Sequence, residues 1–205
     1  MKARGIGGSI NGIENLGKVL FDFDAKAVIS NYNTDWKAVF EEIKTKLKPR
    51  GKLLTEPQSI WPKYCKSILS GASFLSQFST ANDFYEWVGL FDSDDKTRAA
   101  LPMLLANEIN GFGFALACDF LKELGFFNFA KPDVHLRDIF EALGLCAGKV
   151  NDYRLFKAIL RVAKNSGKTP YAVDKIFWLI GSGNFYNHRD IGNAGRIPSR
   201  KKRFY

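Results

Sequence analysis

Apolar residues recur along most of this chain at the three- and four-residue intervals of a helix, and they nowhere alternate with the period of a strand. Residues 12–29 carry Leu16, Val19, Leu20, Phe23 and Ala27 in that rhythm. Asn33-Thr34-Asp35 offers a cap to a second helix, 36–47, with Val39, Phe40, Ile43 and Leu47 on its apolar stripe. Residues 57–78 form a long apolar stretch, with Gly71 placed to kink or end it. Thr80 precedes a helix at 81–91 bearing Phe84, Trp87, Val88 and Phe91. Acidic residues 92–95 suit the N-terminus of the next helix, 96–109, where Pro102 sits early enough to be tolerated or else kinks it.

Asn110-Gly111-Phe112-Gly113 ends that helix, and the following helix starts at once. Three more helices are expected at 134–143, 151–165 and 171–180, the last stopped by Gly181-Ser182-Gly183. Residues 1–11 are Gly-rich and read as a loose arm; 189–205 is a tail rich in Arg and Lys. The pattern predicts an all-α protein, and the length suits one domain, 1–205, or two small helical lobes.

Composition adds a partner class. The formal net charge is +9 and the sequence pI about 9.4, a balance that favours a polyanion such as nucleic acid or an acidic membrane surface. Hydrophobic residues at 46% provide a globular core. Three scattered cysteines, Cys65, Cys118 and Cys146, match neither a disulfide framework nor a zinc or iron–sulfur spacing, and a reducing, cytoplasmic compartment is expected. Only two histidines, His135 and His188, are present, which argues against a multi-histidine metal site. The N-terminus does not read as a signal peptide, and no apolar run reaches the ~18 residues of a membrane span.

Candidate chemistry gathers between residues 109 and 140. Gly111 and Gly113 are free to take positive φ and leave amides uncovered at the start of the next helix, an arrangement suited to one phosphate. Asp133, in Lys131-Pro132-Asp133-Val134-His135, stands just before a helix; a lone Asp there is ordinarily an N-cap. A Gly-hydrophobic-Gly turn, a helix, and then Asp-x-His opening another helix resembles the helix-hairpin-helix superfamily of DNA glycosylases, the branch that includes endonuclease III.

The resemblance covers the middle and later half of the chain and implies roles for particular residues. Asn110, Gly111, Phe112, Gly113, Phe114 and Ala115 would grip the DNA backbone, and Asp133 would be the catalytic carboxylate. Bifunctional relatives carry a lysine eighteen residues ahead of the Asp; that register falls on Ala115, so hydrolysis by water is expected in place of strand cleavage through a Schiff base. Lys122, Lys131 and Lys149 are the lysines near enough in sequence to replace it. His135 would steady the helix start. The resemblance implies double-stranded DNA as partner, a monomer, no metal cofactor and no iron–sulfur cluster, with a monovalent cation admissible at the hairpin.

A flipped base is read by aromatic stacking, for which Trp61, Tyr64, Tyr85, Trp87 and Trp178 are candidates, although helical spacing assigns most of them to the core. The basic tail would bind backbone without reading sequence, or simply solubilise. Excision of a damaged base and restriction of modified phage DNA both use this chemistry. The competing readings are a non-enzymatic backbone clamp, which has no use for Asp133, and a basic helical protein with a protein or membrane partner.

Overall fold

The computed structural model describes residues 6–182. Met1–Gly5, His188 and the basic segment 189–205 lie outside the described residues. The protein is all-helical, with no strand among the described residues. No helix among them is long and apolar enough to cross a membrane.

The chain forms α1 (Ile6–Ser9), two 3-10 segments (Ile13–Lys18 and Phe21–Phe23), α2 (Ala25–Tyr32), α3 (Trp36–Leu47), α4 (Ile60–Leu75), α5 (Ala81–Asp92), α6 (Asp95–Arg98), α7 (Ala100–Glu108), α8 (Phe114–Glu123), α9 (Val134–Ala142), α10 (Asp152–Ser166) and α11 (Pro170–Ser182). These divide into two compact units. The described residues up to Gly89, with Ala106–Phe112, form the first; Leu90–Leu105, with the residues from Gly113 onward, form the second.

In the first unit α2 and α3 pack on α4. Val39, Ile43 and Cys65 are fully buried there, together with Val19 and Ile10. Burying each such side chain contributes roughly 1.5–3 kcal/mol for the larger aliphatics. Ile10 corrects the expectation of a loose arm: it is 1% exposed, and Arg50 N–H donates to the Ser9 carbonyl at 2.9 Å beside it. The expected helix at 12–29 is also corrected. Phe21, Asp22 and Phe23 all take positive φ (51°, 52° and 67°), a left-handed run that interrupts the helix and leaves Phe23 57% exposed. The helix restarts at Asp24, whose Oδ1 accepts from Lys26 N–H and Ala27 N–H.

Other boundaries follow the pattern more closely. Asp35 caps α3 through Lys37 and Ala38 N–H. Thr80 and Asp83 cap α5 reciprocally: Thr80 Oγ1 accepts from Asp83 N–H and Asp83 Oδ2 from Thr80 N–H. α4 runs straight through Gly71, because hydrogen bonds on either side tolerate one glycine when neighbouring turns are packed. The single helix expected at 96–109 is instead split at Ala99 into α6 and α7. Pro102 has no N–H to give the Arg98 carbonyl four residues earlier, so the ladder is cut there.

In the second unit α9 and α10 pack on α11, and α8 meets α10. Leu136, Phe140, Leu155 and Ile159 are fully buried. Leu143 and Ile176, expected inward, are 59% and 45% exposed; Leu143 has passed the helix end, and Ile176 turns to the outer side of α11. Gly181 does not stop α11. A Cβ there would lie 2.7 Å from His135 Cβ and 3.3 Å from Ile139 Cδ1, so this glycine is what lets α11 lie directly against α9.

Candidate functional site

The turn between α7 and α8 is built as its glycines suggest at one position and otherwise at the other. Gly111 takes φ 82°, the left-handed conformation that favours glycine. Gly113 does not: it is the extended N-cap of α8, with φ −103° and ψ 171°. No side chain caps α8, and the Gly113 carbonyl accepts Ala117 N–H as the helix's first bond. Ideal Cβ atoms at Gly111 and at Gly113 would each meet nothing within 4 Å. Internal packing therefore gives no reason for a glycine at 113.

Asn110 and Gly111 are exposed and Phe112 half-buried. They belong to the first unit, where Asn110 N–H donates to Ser70 Oγ at 2.8 Å and Phe112 N–H to the Ile109 carbonyl. Gly113, Phe114 and Ala115 belong to the second unit with Asp133 and follow Phe112 directly in the chain. Ala115 is half-buried. The Phe114 ring packs edge-on against Phe156 at 5.6 Å and Tyr153 at 6.3 Å, anchoring the start of α8 on α10.

Asp133 is the N-cap of α9, half-exposed. Both of its cap bonds fall on one oxygen: Oδ1 accepts from His135 N–H at 2.9 Å and Leu136 N–H at 3.0 Å. Among the described residues, Oδ2 accepts no hydrogen bond. The carboxylate is thus oriented by the helix start through one oxygen. The structural role expected of a lone Asp at this place is the one the structure shows.

The segment leading to Asp133 is fixed by charged groups that no motif in the sequence marks. Asp174, on α11, is 3% exposed, and its Oδ2 accepts the backbone N–H of Lys131 at 2.9 Å and the Lys122 ammonium at 3.2 Å. Lys122 Nζ also meets Asp119 Oδ1 at 2.8 Å, and Asp119 Oδ2 meets Lys131 Nζ at 2.7 Å. The result is a closed ring of two lysines and two aspartates. The Lys131 carbonyl then accepts Asp133 N–H at 2.9 Å, so the peptide two residues ahead of the cap is held at both ends.

Each group in the ring is shifted by its surroundings. Burial pushes the Asp174 carboxyl above the usual range despite the Lys131 and Lys122 donors, and the Asp133 charge adds to the rise. Burial works against the Lys122 charge, but the Asp119 hydrogen bond and the Asp174 charge outweigh it and hold its pKa above the usual lysine value. Burial likewise opposes ionisation of Asp119, and the two lysines overcome that and lower its pKa. A lysine held protonated between two carboxylates is a poor nucleophile. Lys131 is paired as well. Lys149 is exposed, with φ 46° and its N–H donated to Glu141; its ammonium has no carboxylate partner among the described residues.

The aromatic candidates divide by burial. Trp61 is 3% exposed and belongs to the core; Tyr64 and Trp87 are partly buried against neighbouring rings. Tyr85 is 44% exposed, and Trp178 is half-buried beneath the Lys175 ammonium at 5.4 Å. Cys65 and Cys118 are buried, and Cys146 is partly exposed. Among the described residues no three His, Cys, Asp or Glu side chains gather so as to hold a metal ion. No family model, curated protein or solved structure matches this chain.

Proposed function

We propose that this protein is a monofunctional DNA glycosylase of the helix-hairpin-helix superfamily, acting as a monomer on double-stranded DNA in the cytoplasm and hydrolysing the N-glycosidic bond of a flipped, damaged or modified base. One observation carries the reading: Asp133 spends Oδ1 on both cap bonds and presents Oδ2 unbonded among the described residues. A carboxylate so held has little orientation left to lose when the substrate arrives.

In this reading the bond from C1′ to the base nitrogen breaks and its electron pair leaves with the base. The sugar gains oxocarbenium character, which the Asp133 charge stabilises. Water adds to C1′, and its proton passes to Oδ2. Asn110–Ala115 hold the phosphate backbone, with the uncapped α8 N-terminus turned to one phosphate. Ala115 has no amine, and Lys122 and Lys131 are held as ion pairs, which supports hydrolysis over a Schiff base. The chemistry is assigned to protein groups and water. A monovalent cation at the hairpin would rest on backbone carbonyls and take no part in breaking the bond.

The cap bonds also favour a second reading, in which Asp133 only closes α9 and the hairpin clamps DNA without chemistry. One assay separates the two. Wild type and Asp133→Asn are incubated with duplexes carrying oxidised, alkylated, deaminated or hypermodified bases, then treated with alkali. Base release by wild type and loss of at least about a hundredfold in the variant are expected, by analogy with the removal of other electrostatic stabilisers. Equal DNA binding with no release by either protein supports the clamp. Strand cuts without alkali would assign a lysine nucleophile, and Lys149 would be the first to replace.

A further inference from the structure

The charge of this protein is not spread evenly, and α10 carries a concentration of it that the site above does not use. Arg154, Lys157, Arg161 and Lys164 fall at intervals of three, four and three along the helix, and Lys168 continues the series just past the Gly167 cap. That spacing places them in one stripe, and all five are exposed. No acidic residue occurs between Asp152 and Asp174. Among the described residues none of the five has a carboxylate within ion-pair distance. The Lys157 ammonium lies 5.8 Å from the Tyr153 ring, and the Arg161 guanidinium donates to the Leu145 carbonyl.

Helix stabilisation does not account for the stripe. Cations suit the C-terminal end of a helix, which covers Lys164 and Lys168. Arg154 sits in the first turn, where a positive charge opposes the helix dipole, and Lys157 is only one turn further on. Nor is the stripe isolated from the start of α8. Tyr153 and Phe156, which flank Arg154 in α10, pack on Phe114, the first residue after Gly113. The first turns of α10, from which the series of cations starts, therefore pack on the first residue of α8.

We propose that the outer face of α10 is a second contact surface for the phosphate backbone of double-stranded DNA, continuing the track that starts at the α8 N-terminus. From Arg154 to Lys164 the helix rises about 15 Å, a distance over which one DNA strand presents roughly four phosphates. The contact is to backbone, so it holds the duplex without reading bases. It rests on the DNA-binding part of the function proposed above and not on base excision.

The test is the salt dependence of binding to an undamaged duplex. Wild type is compared with Arg154→Gln/Lys157→Gln/Lys164→Gln/Lys168→Gln. A control variant loses four exposed lysines of the first unit, Lys18, Lys26, Lys37 and Lys63, each to Gln. All three proteins should melt alike, since every substituted side chain is exposed. The slope of log affinity against log salt should fall by about three to four in the stripe variant, roughly one for each phosphate that loses its cation, with affinity at ~0.1 M salt down at least tenfold. The control should change the slope by less than one. An unchanged slope in the stripe variant, or an equal fall in the control, overturns the proposal. So does a wild type that ignores duplex but binds phosphatidylserine vesicles through these residues. Excision measured in the same samples keeps the two readings apart. Stripe-dependent binding without excision leaves this surface standing and removes the glycosylase, whereas excision with a stripe-independent slope does the reverse.

Discussion

Asp174 accepts the backbone N–H of Lys131 at 2.9 Å from within α11, and so fixes the chain two residues before Asp133. Replacing it separates its hydrogen bond from its charge. Asp174→Asn keeps an acceptor for Lys131, whereas Asp174→Ala keeps none and takes the buried carboxylate from the Lys122 ammonium, leaving it Asp119 at 2.8 Å and the exposed Glu123 at 3.9 Å. The alanine variant should lose about 1–3 kcal/mol of stability, the cost of a buried group left unsatisfied. Its amide exchange at residues 131–136 should quicken. Excision should slow by up to about a hundredfold, the scale set by a catalytic group displaced by an ångström, with DNA affinity unchanged. Recovery of most of the rate by asparagine would tie the effect to the hydrogen bond; equal rates in wild type and alanine variant would show that Lys131 needs no anchor.

Two glycine substitutions should have opposite signs. Gly181→Ala places a Cβ 2.7 Å from that of His135, so α9 and α11 must separate. A loss of about 1–3 kcal/mol is expected from overpacking. Gly89→Ala, in α5, meets nothing within 4 Å, and the gain in helix propensity should add roughly 0.5–1 kcal/mol. Denaturant midpoints for the pair read both effects; an unchanged or higher midpoint in Gly181→Ala would refute the account of Gly181, and a lower one in Gly89→Ala that of Gly89.

Gly113→Ala should divide folding from binding. The site is extended and its Cβ position empty, so the melting temperature should move by no more than a few degrees. Binding to duplex DNA should weaken about tenfold, because the methyl group stands where the backbone must approach a phosphate. Gly111→Ala should cost folding stability as well, roughly 1 kcal/mol, because its φ is 82°. Unaltered DNA affinity in the alanine-113 variant would remove this turn from the interface.

Stability should fall steeply at alkaline pH through Tyr64. Burial pushes its hydroxyl from 10.0 up to about 12, with the Cys65 charge adding to the rise. The folded state therefore keeps a proton that the unfolded state gives up. The contribution is whole below pH 10 and is lost as pH climbs through about 12. Cys65, pushed up to about 12 by burial, acts in the same direction. Tyr64→Phe should flatten the decline in denaturation free energy between pH 10 and 12; an unaltered slope would mean that the hydroxyl is open to water.

Helical periodicity makes most of this architecture legible, because α3, α5, α9, α10 and α11 are amphipathic or capped by residues with short polar side chains. Asp133 is legible as a cap for the same reason. The left-handed run Phe21–Phe23 is not, because phenylalanine gives no local signal for positive φ. Gly113 departs from expectation because sequence shows a glycine and not which freedom it uses. The Asp174 ring leaves only a trace: one acid falls within the apolar series Val173, Ile176 and Phe177 of α11. A buried charge must have a partner, but Lys122 is fifty-two residues away and the backbone N–H of Lys131 forty-three, separations that no local pattern spans.

The two compact units are not consecutive stretches of chain. The polypeptide leaves the first within α5, returns to it within α7, and leaves it finally between Phe112 and Gly113. A nascent chain emerging from the ribosome cannot complete the first unit until residue 112 has been made, by which time it already carries the opening segment of the second. A cut at either of the first two crossings would sever a helix and not a linker. Function in this protein is therefore to be mapped by substitution, because a truncation ending between residues 90 and 111 would leave both units incomplete.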